Sequence, residues 1–205
     1  MFKIAVLVSG GGTNLQSIVD SINNGYLSNC KIEAVISDRP GVYALERAKN
    51  NGIETFVFDR KIYKDKVSDK ILELLNDKVD LIVCAGWLSI LKSELISKFE
   101  NKIINIHPSL IPSFCGGGMY GIKVHEEAIR YGVKVSGCTV HFVDEGTDSG
   151  PIIIQKTVPV YAEDTAESLQ KRILIQEHKT LPEAIKLISE EKVKVEERKV
   201  MVSSL

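Results

Sequence analysis

Strand-length apolar segments alternate along the first half of the chain with stretches in which apolar residues recur every three or four positions. Continuous apolar runs of this length are typical of strands buried on both faces of a parallel sheet, and the wider spacing is typical of amphipathic helices. The predicted strands lie at residues 3–8, 31–37, 54–58, 79–85 and 103–107. This alternation of strand and helix predicts an α/β fold with a doubly wound, mostly parallel sheet.

The pattern changes after Pro112. A glycine-rich loop at residues 113–121 precedes a helix, and residues 136–143 alternate between apolar and polar positions before a partner strand that begins at Ile152. This pattern predicts an antiparallel C-terminal part. We expect one domain over residues 1–205, with a parallel half at 1–112 and a second half at 113–205.

Three local features of the predicted helices follow from their sequences. Thr13 or Asn14 is expected to cap the first helix, and the spacing of Asp164 and Glu167 resembles a capping box for a later one. Pro182 is expected to kink that later helix or to begin a new segment. Residues 193–202 are partly alternating and charged, which predicts an edge strand or a loosely held tail.

Charge and cysteine content narrow the class of partner. The formal net charge is -1, with 26 basic and 27 acidic residues, so the chain shows no electrostatic signature for nucleic acid or an anionic membrane. We therefore expect small-molecule substrates. The 4 cysteines are widely spaced and the first apolar run is too short to span a bilayer, which predicts reduced thiols and a cytoplasmic location.

The first predicted strand runs directly into Ser9-Gly10-Gly11-Gly12-Thr13-Asn14 and then a helix. Such a turn exposes backbone N–H groups at the positive end of the helix, where a phosphate or carboxylate can bind. Leu15 occupies the third glycine position of the G-x-G-x-x-G pattern, so a mononucleotide phosphate fits better than a dinucleotide. A dinucleotide site using Asp38 as the ribose acid, and a tight turn with no ligand, both stay open.

Asn105 and His107 are two residues apart on the fifth predicted strand, so their side chains leave the same face, and Pro108 ends the strand. Polar groups at the carboxyl end of a buried strand are where an open α/β sheet usually has its chemistry. The simpler alternative is a strand end with a hydrogen-bonded histidine. The segment Gly86–Leu91 after the fourth strand is apolar, which suits either a pocket for a flat aromatic ligand or ordinary core.

Residues 144–151 form a loop with three acids in five positions, Asp144, Glu145 and Asp148. A carboxylate here could orient a histidine or act in acid–base chemistry. Metal binding fits less well, because the spacing is not that of an EF-hand loop, and a solvated hairpin turn is the third possibility. Glu177 and His178, on a later helix, are expected to face solvent.

Four segments together resemble the folate-dependent phosphoribosylglycinamide formyltransferases, in the same order and over essentially the whole chain. They are Ser9–Gln16, Ala85–Leu91, Asn105–Pro112 and His141–Pro151. The resemblance implies a Rossmann-like formyltransferase fold. It also implies transfer of the formyl group of 10-formyltetrahydrofolate to the glycine amine of 5'-phosphoribosylglycinamide in purine synthesis, without a metal, by a monomer or weak homodimer.

The resemblance also implies roles for individual residues. Asn105 would stabilise the oxyanion of a tetrahedral intermediate, His107 would stabilise that charge or shuttle a proton, and Asp148 would orient His107. The substrate would be bound by Gly12, Thr13, Asn14, Leu15 and Glu177. The folate would be bound by Arg60, Leu88, Ser89, Ile90, Leu91, Asn105, Asp144, Glu145, Gly146 and Thr147.

The chain departs from the family pattern at three places. Ser89 replaces an arginine that many members carry in the pterin loop, and Leu174 replaces a residue that is often polar. The loop at residues 115–121 is longer and richer in glycine than the common form. These departures concern the details of the pocket more than the type of reaction.

Three other functions fit parts of this pattern. A formyltetrahydrofolate hydrolase would share the Asn, His and Asp, but we expect it to carry a preceding regulatory domain. A methionyl-tRNA formyltransferase would need a C-terminal tRNA-binding domain and a basic surface. A nucleotide-binding regulatory module would not need Asn105, His107 and Asp148 together.

Overall fold

Strand β1, formed by the first apolar run, lies in the middle of five parallel strands. The computed structural model describes residues 1–203, except for the side chain of Ser93. The five strands are β1 (Phe2–Val8), β2 (Cys30–Ser37), β3 (Thr55–Val57), β4 (Leu81–Cys84) and β5 (Ile103–His107). They follow the order β3-β2-β1-β4-β5. Ile4 to Val8 are each 0% exposed, as expected for a strand covered on both faces.

The chain divides into two compact units, and β5 contains the boundary between Asn105 and Ile106. In the first unit, β1 pairs with β2 on one side and with β4 on the other. The strand order therefore reverses next to β1, and the crevice at the carboxyl ends of strands at such a reversal is a usual ligand-binding place. The helices of this unit are α1 (Thr13–Asn23), α2 (Tyr43–Asn50), α3 (Arg60–Tyr63), α4 (Val67–Leu75) and α5 (Ser93–Lys98), with a 3₁₀ turn at Lys64–Lys66.

The second unit is built on an antiparallel pair of strands. Its elements are α6 (Ile122–Tyr131), β6 (Val135–Phe142), β7 (Ile152–Pro159), α7 (Ala166–Ser189), β8 (Val193–Glu196) and β9 (Lys199–Val202). Strand β6 pairs with β7, and α7 packs against both strands and against α6. The predicted class is thus confirmed, with parallel strands first and antiparallel strands after them. The single-domain organisation stays a prediction.

Several local predictions were wrong. Thr13 or Asn14 was expected to cap α1, but both lie inside the helix. The capping residue is Gly12, which is in the left-handed conformation, and no side chain makes a capping hydrogen bond there. Helix α7 is capped by Thr165, whose side chain accepts from the Ser168 N–H, one residue after the predicted Asp164. Residues 193–202 form a β-hairpin of their own rather than an edge strand or tail.

Helix α7 continues through Pro182 as one element of 24 residues. A proline removes one backbone hydrogen bond from a helix interior. Its neighbours Leu181, Ala184 and Ile185 are each 0% exposed, so the packing of this buried face stabilises the helix on both sides of the proline. Pro182 therefore does not begin a new segment, and α7 packs against β6 and β7 as one element.

Among residues 1–203, no helix combines the length and the apolar composition needed to cross a bilayer.

Candidate active site

The glycine loop joins β1 to α1 in the first unit. Gly12 has φ of 73°, and a Cβ atom built on it would lie 2.6 Å from the Cβ of Ala44 on α2. Only glycine therefore fits here without strain or displacement of α2. The first turn of a helix carries N–H groups that have no partner within the helix, so Thr13, Asn14 and Leu15 begin α1 in the way an anion site requires.

Ser9 connects this glycine loop to the apolar loop that follows β4. The Ser9 N–H donates to the Gly86 carbonyl at 3.1 Å, and the Ser9 hydroxyl accepts from the Leu88 N–H at 2.9 Å. Ser9 is 4% exposed, so these bonds are shielded from water. The two loops at the reversal of strand order are thus held to each other by one serine.

The apolar loop exposes hydrophobic side chains. Leu88 is 39% exposed and Ile90 is 73% exposed. Exposed side chains of this size are available to a flat apolar ligand. Ser89, in the same loop, points instead to a polar partner, because its hydroxyl donates to Asp38 Oδ2 at 2.6 Å.

Asp38 contacts Ser89 and Arg60, two residues for which the family resemblance implies separate roles in folate binding. Its carboxylate is 0% exposed, and Oδ2 lies 3.8 Å from Nη1 of Arg60 as well as 2.6 Å from the Ser89 hydroxyl. The Arg60 N–H also donates to the Asp38 carbonyl at 3.0 Å. The Asp38 carboxylate is therefore buried and already has cationic and hydroxyl partners. The dinucleotide alternative needs an acid that is free to bind a ribose hydroxyl, so this arrangement does not favour it. Apart from the position of Asp38 at the end of β2, no sequence pattern indicates this connection.

Asn105 lies on β5, where it pairs with Cys84 of β4, and it is half-buried. His107, two residues later on the same strand, is 4% exposed. Their spacing of two on a regular strand is the geometry expected from the sequence.

His107 and Asp148 lie close together in the second unit. His107 Nδ1 is 3.6 Å from Asp148 Oδ2, and His107 Nε2 is 2.9 Å from the Phe114 carbonyl oxygen. A carbonyl can only accept, so Nε2 carries a hydrogen and donates it. The expectation that Asp148 lies within reach of His107 is therefore met.

The glycine-rich loop holds this pair in place. The Gly116 N–H donates to Asp148 Oδ2 at 2.9 Å, and the Ser109 hydroxyl donates to the Ser113 carbonyl at 2.6 Å. Asp148 itself has φ of 54°. Aspartate and asparagine tolerate this left-handed conformation better than most residues, which explains an acid at this turn.

Two further histidines interact with this pair, and neither was assigned a role from the sequence. His141 Nε2 lies 3.8 Å from Asp148 Oδ1, and its Nδ1 donates to the Phe142 carbonyl at 2.7 Å. Burial lowers the pKa of His141. Burial also lowers the pKa of His125 on α6 to about 4, with a smaller contribution from His107. The alternation of β6 was the signal that could have placed His141 beside the acid loop.

The acid loop, residues 144–151, is stabilised by hydrogen bonds to the carboxylate of Asp144. Asp144 Oδ1 accepts from the Gly146 N–H at 3.1 Å and from the Ser149 hydroxyl at 2.6 Å. Glu145 and Thr147 are exposed. Among the residues that the structure describes, no three His, Cys, Asp or Glu side chains are grouped in a way that could hold a metal ion.

Glu177 was expected to face solvent, and this was wrong. It is 8% exposed on α7. The face of α7 that carries it packs on β6 and β7, and Thr180, on the same face one turn later, is 0% exposed. Glu177 is buried because it lies on the packed face of α7. A single charged residue in an amphipathic helix pattern is expected on the solvent face, so the sequence did not indicate this burial.

The chain is similar to known proteins over most of its length. The family model described as formyl transferase matches residues 2–185. Phosphoribosylglycinamide formyltransferase from Haemophilus influenzae is 40% identical over 200 residues, which cover 96% of this chain and 92% of that protein.

The crystal structure of glycinamide ribonucleotide transformylase 1 from Symbiobacterium toebii is similar over the whole fold. It has a TM-score of 0.93 and 42% sequence identity, and the match covers 100% of this chain and 95% of that one. The human trifunctional purine biosynthetic protein adenosine-3 is 41% identical over 190 residues. The match spans only 18% of the length of that human protein.

Proposed function

Because this chain belongs to the formyl transferase family, among the phosphoribosylglycinamide formyltransferases, we propose that it formylates 5'-phosphoribosylglycinamide with 10-formyltetrahydrofolate. This is a step of purine synthesis. The glycine amine attacks the formyl carbon, a C–N bond forms, and the carbonyl oxygen becomes an oxyanion. The intermediate then collapses with loss of the folate nitrogen, which takes up a proton, and the products are the formylated ribonucleotide and tetrahydrofolate.

The observation that carries this proposal is the pairing of His107 with Asp148 at 3.6 Å. Asn105 donates an amide N–H to the oxyanion, a role that suits a neutral donor. His107 stabilises the oxyanion or, once its Nε2–H leaves the Phe114 carbonyl, carries the proton from the attacking amine to the leaving nitrogen, and Asp148 orients its ring. The burial of His107 supports this role, because a water-excluded imidazole keeps its proton transfers directed at the substrate.

The phosphate of the ribonucleotide binds to the glycine loop through backbone N–H groups of Gly12, Thr13, Asn14 and Leu15. The left-handed Gly12 and the start of α1 at Thr13 support this role. Glu177 hydrogen-bonds the ribose and amine region of the same substrate. The position of Glu177 on the buried face of α7 supports this role, because a carboxylate that is only 8% exposed forms stronger hydrogen bonds than one in water.

The folate binds to the residues of the apolar loop, Leu88 to Leu91, and of the acid loop, Asp144 to Thr147. The exposed Leu88 and Ile90 offer apolar surface to the pterin ring. Arg60 binds the anionic tail of the folate. Its guanidinium is held 3.8 Å from Asp38, so the tail shares Arg60 with a buried carboxylate.

The reaction as proposed needs no metal, and its partners are two small molecules. We expect a monomer or weak homodimer that does not bind nucleic acid or membrane. The 4 cysteines support a cytoplasmic location, since all are free thiols.

The test is a spectroscopic assay of 10-formyltetrahydrofolate consumption with and without phosphoribosylglycinamide. We expect consumption only when the amine is present, with formation of the formylated ribonucleotide in equal amount. Consumption that does not depend on the amine would instead identify a hydrolase. An absence of consumption under both conditions would favour a binding module.

A further inference from the structure

The carbonyl groups of the glycine loop are tied to helix α2. The Ala44 N–H donates to the Gly10 carbonyl at 3.1 Å, and Arg47 Nε donates to the Gly11 carbonyl at 2.9 Å. Both donors come from α2, and both acceptors precede Gly12. The loop is therefore attached to the fold by its oxygen atoms.

This attachment decides where the loop N–H groups point. In a trans peptide the C=O and the following N–H point in opposite directions. Fixing the Gly10 and Gly11 carbonyls toward α2 therefore directs the N–H groups of Gly11 and Gly12 away from α2. Of these two, the Gly12 N–H is one of the donors assigned to the phosphate in the proposed function, and it belongs to the peptide whose carbonyl Arg47 holds.

Arg47 is itself held by two further groups of the first unit. Its Nη1 donates to Gln16 Oε1 on α1 at 3.1 Å, and its guanidinium carbon lies 4.8 Å from the centre of the Tyr43 ring. Its Cδ is 3.5 Å from the position of a Cβ on Gly12. The half-buried side chain thus links α1, α2 and the loop. A lysine cannot make the same set of contacts, because it lacks the planar fork of donors.

We propose that Arg47 is a positioning residue that sets the peptide orientation of the glycine loop and so determines the affinity for the substrate phosphate. The proposal rests on the proposed function of that loop. Arg47 acts through the Gly11 carbonyl and not by contact with the substrate.

The test compares Arg47→Met and Arg47→Lys with the unaltered chain, using phosphoribosylglycinamide and its dephosphorylated nucleoside as substrates. Methionine keeps the apolar stem and removes the donors. We expect Arg47→Met to raise KM for the phosphorylated substrate roughly tenfold, the effect of losing one or two hydrogen bonds. The kcat value, KM for the folate and KM for the nucleoside should stay within about threefold. Arg47→Lys should recover little of the loss.

Arg130→Met is the matched control, because Arg130 is an exposed arginine of α6 that pairs only with Glu127 among the described residues. It should leave all four constants unchanged. If Arg47→Met does not fold, Gln16→Met removes the partner of Nη1 and should raise KM for the phosphorylated substrate in the same direction by a smaller factor.

The outcomes separate this proposal from the function on which it rests. An unaltered chain that does not distinguish the phosphorylated substrate from the nucleoside would overturn the phosphate role of the loop, and the role of Arg47 with it. An unaltered chain that does distinguish them, with Arg47→Met and Gln16→Met retaining the full difference, would overturn the role of Arg47 alone. Full recovery by Arg47→Lys would also overturn it, since charge rather than loop orientation would then be the cause.

Discussion

The carboxylate of Asp148 faces two imidazole rings, one with each oxygen. Oδ2 is 3.6 Å from His107 Nδ1, and Oδ1 is 3.8 Å from His141 Nε2. The Gly116 N–H also donates to Oδ2. An acid with these neighbours can orient His107 without moving, because its own position is fixed by the loop backbone.

Replacing this acid tests its role in orienting His107. Asp148→Asn should lower kcat by roughly 10²-fold or more, on the usual scale for acid–base groups. Asparagine tolerates the φ of 54° and keeps one oxygen for the Gly116 N–H, so the melting temperature should change little. The measurements are steady-state kinetics and thermal unfolding. Near-normal activity would remove Asp148 from the mechanism.

Gly12 is constrained by both its backbone and its neighbours. Gly12→Ala should lower the free energy of unfolding by about 2–4 kcal/mol, because it adds left-handed backbone strain to a contact with Ala44. Gly10→Ala is the stability control, since a Cβ there has nothing within 4 Å and the backbone is not in the left-handed region. Urea denaturation measures both. Equal stability of the two variants would contradict the assigned strain.

At the scale of whole elements, α7 combines a structural and a proposed functional role. Its 24 residues pack against β6 and β7, and it carries Glu177 on the buried side. Its N-terminus is fixed by a capping box between Thr165 and Ser168. The cap lies more than two turns before Glu177, so changes there should affect the stability of the helix and not substrate binding.

The cap can be removed without touching the site. Thr165→Ala should lower the free energy of unfolding by about 1 kcal/mol, the usual effect of losing a helix cap. Thr165→Ser keeps a hydroxyl and should cost much less. Both variants should retain the KM for phosphoribosylglycinamide of the unaltered chain, measured beside urea unfolding curves. A change in KM with unchanged stability would show that the cap affects the site.

At the scale of the whole molecule, buried histidines make stability depend on pH. The pKa of His125 falls from 6.5 to about 4 in the folded protein, chiefly because of burial. Burial also lowers the pKa of His141. The unfolded chain therefore takes up protons near pH 6.5 that the folded chain resists, and low pH favours unfolding.

The free energy of unfolding should decrease as the pH falls from about 6.5 toward 4, and the contribution of His125 should level off below that pH. His125→Leu should give a flatter profile over this range, because a buried apolar side chain takes up no proton. Some slope should remain from His141. The measurement is a series of urea unfolding curves from pH 7.5 to 4.5. An identical slope in His125→Leu would exclude His125 as a source.

Much of the fold and part of the candidate site follow from local patterns in the sequence. The apolar runs predicted β1, β2 and β4 to within two residues at each end. The glycines of the first loop and the spacing of Asn105 and His107 are also local signals. The helix caps were predicted less well. Gly12 caps α1 through its backbone conformation, and Thr165 caps α7 one residue after the predicted position, and the sequence pattern defines neither the conformation nor the exact first residue of a helix.

By itself the sequence determined the order of strands and helices, the glycine loop after β1 and the Asn105–His107 pair, since these depend on residues close together in the chain. Only the tertiary structure decided the contacts of Asp38 with Ser89 and Arg60, of Asp148 with His141, and of Arg47 with the glycine loop. Each of these contacts joins residues that are far apart in the chain and that come together when separate elements pack. A periodic pattern of apolar and polar residues does not predict which residues of different elements will be in contact. The glycine loop is therefore visible in the sequence, whereas the arginine that orients it is visible only in the fold.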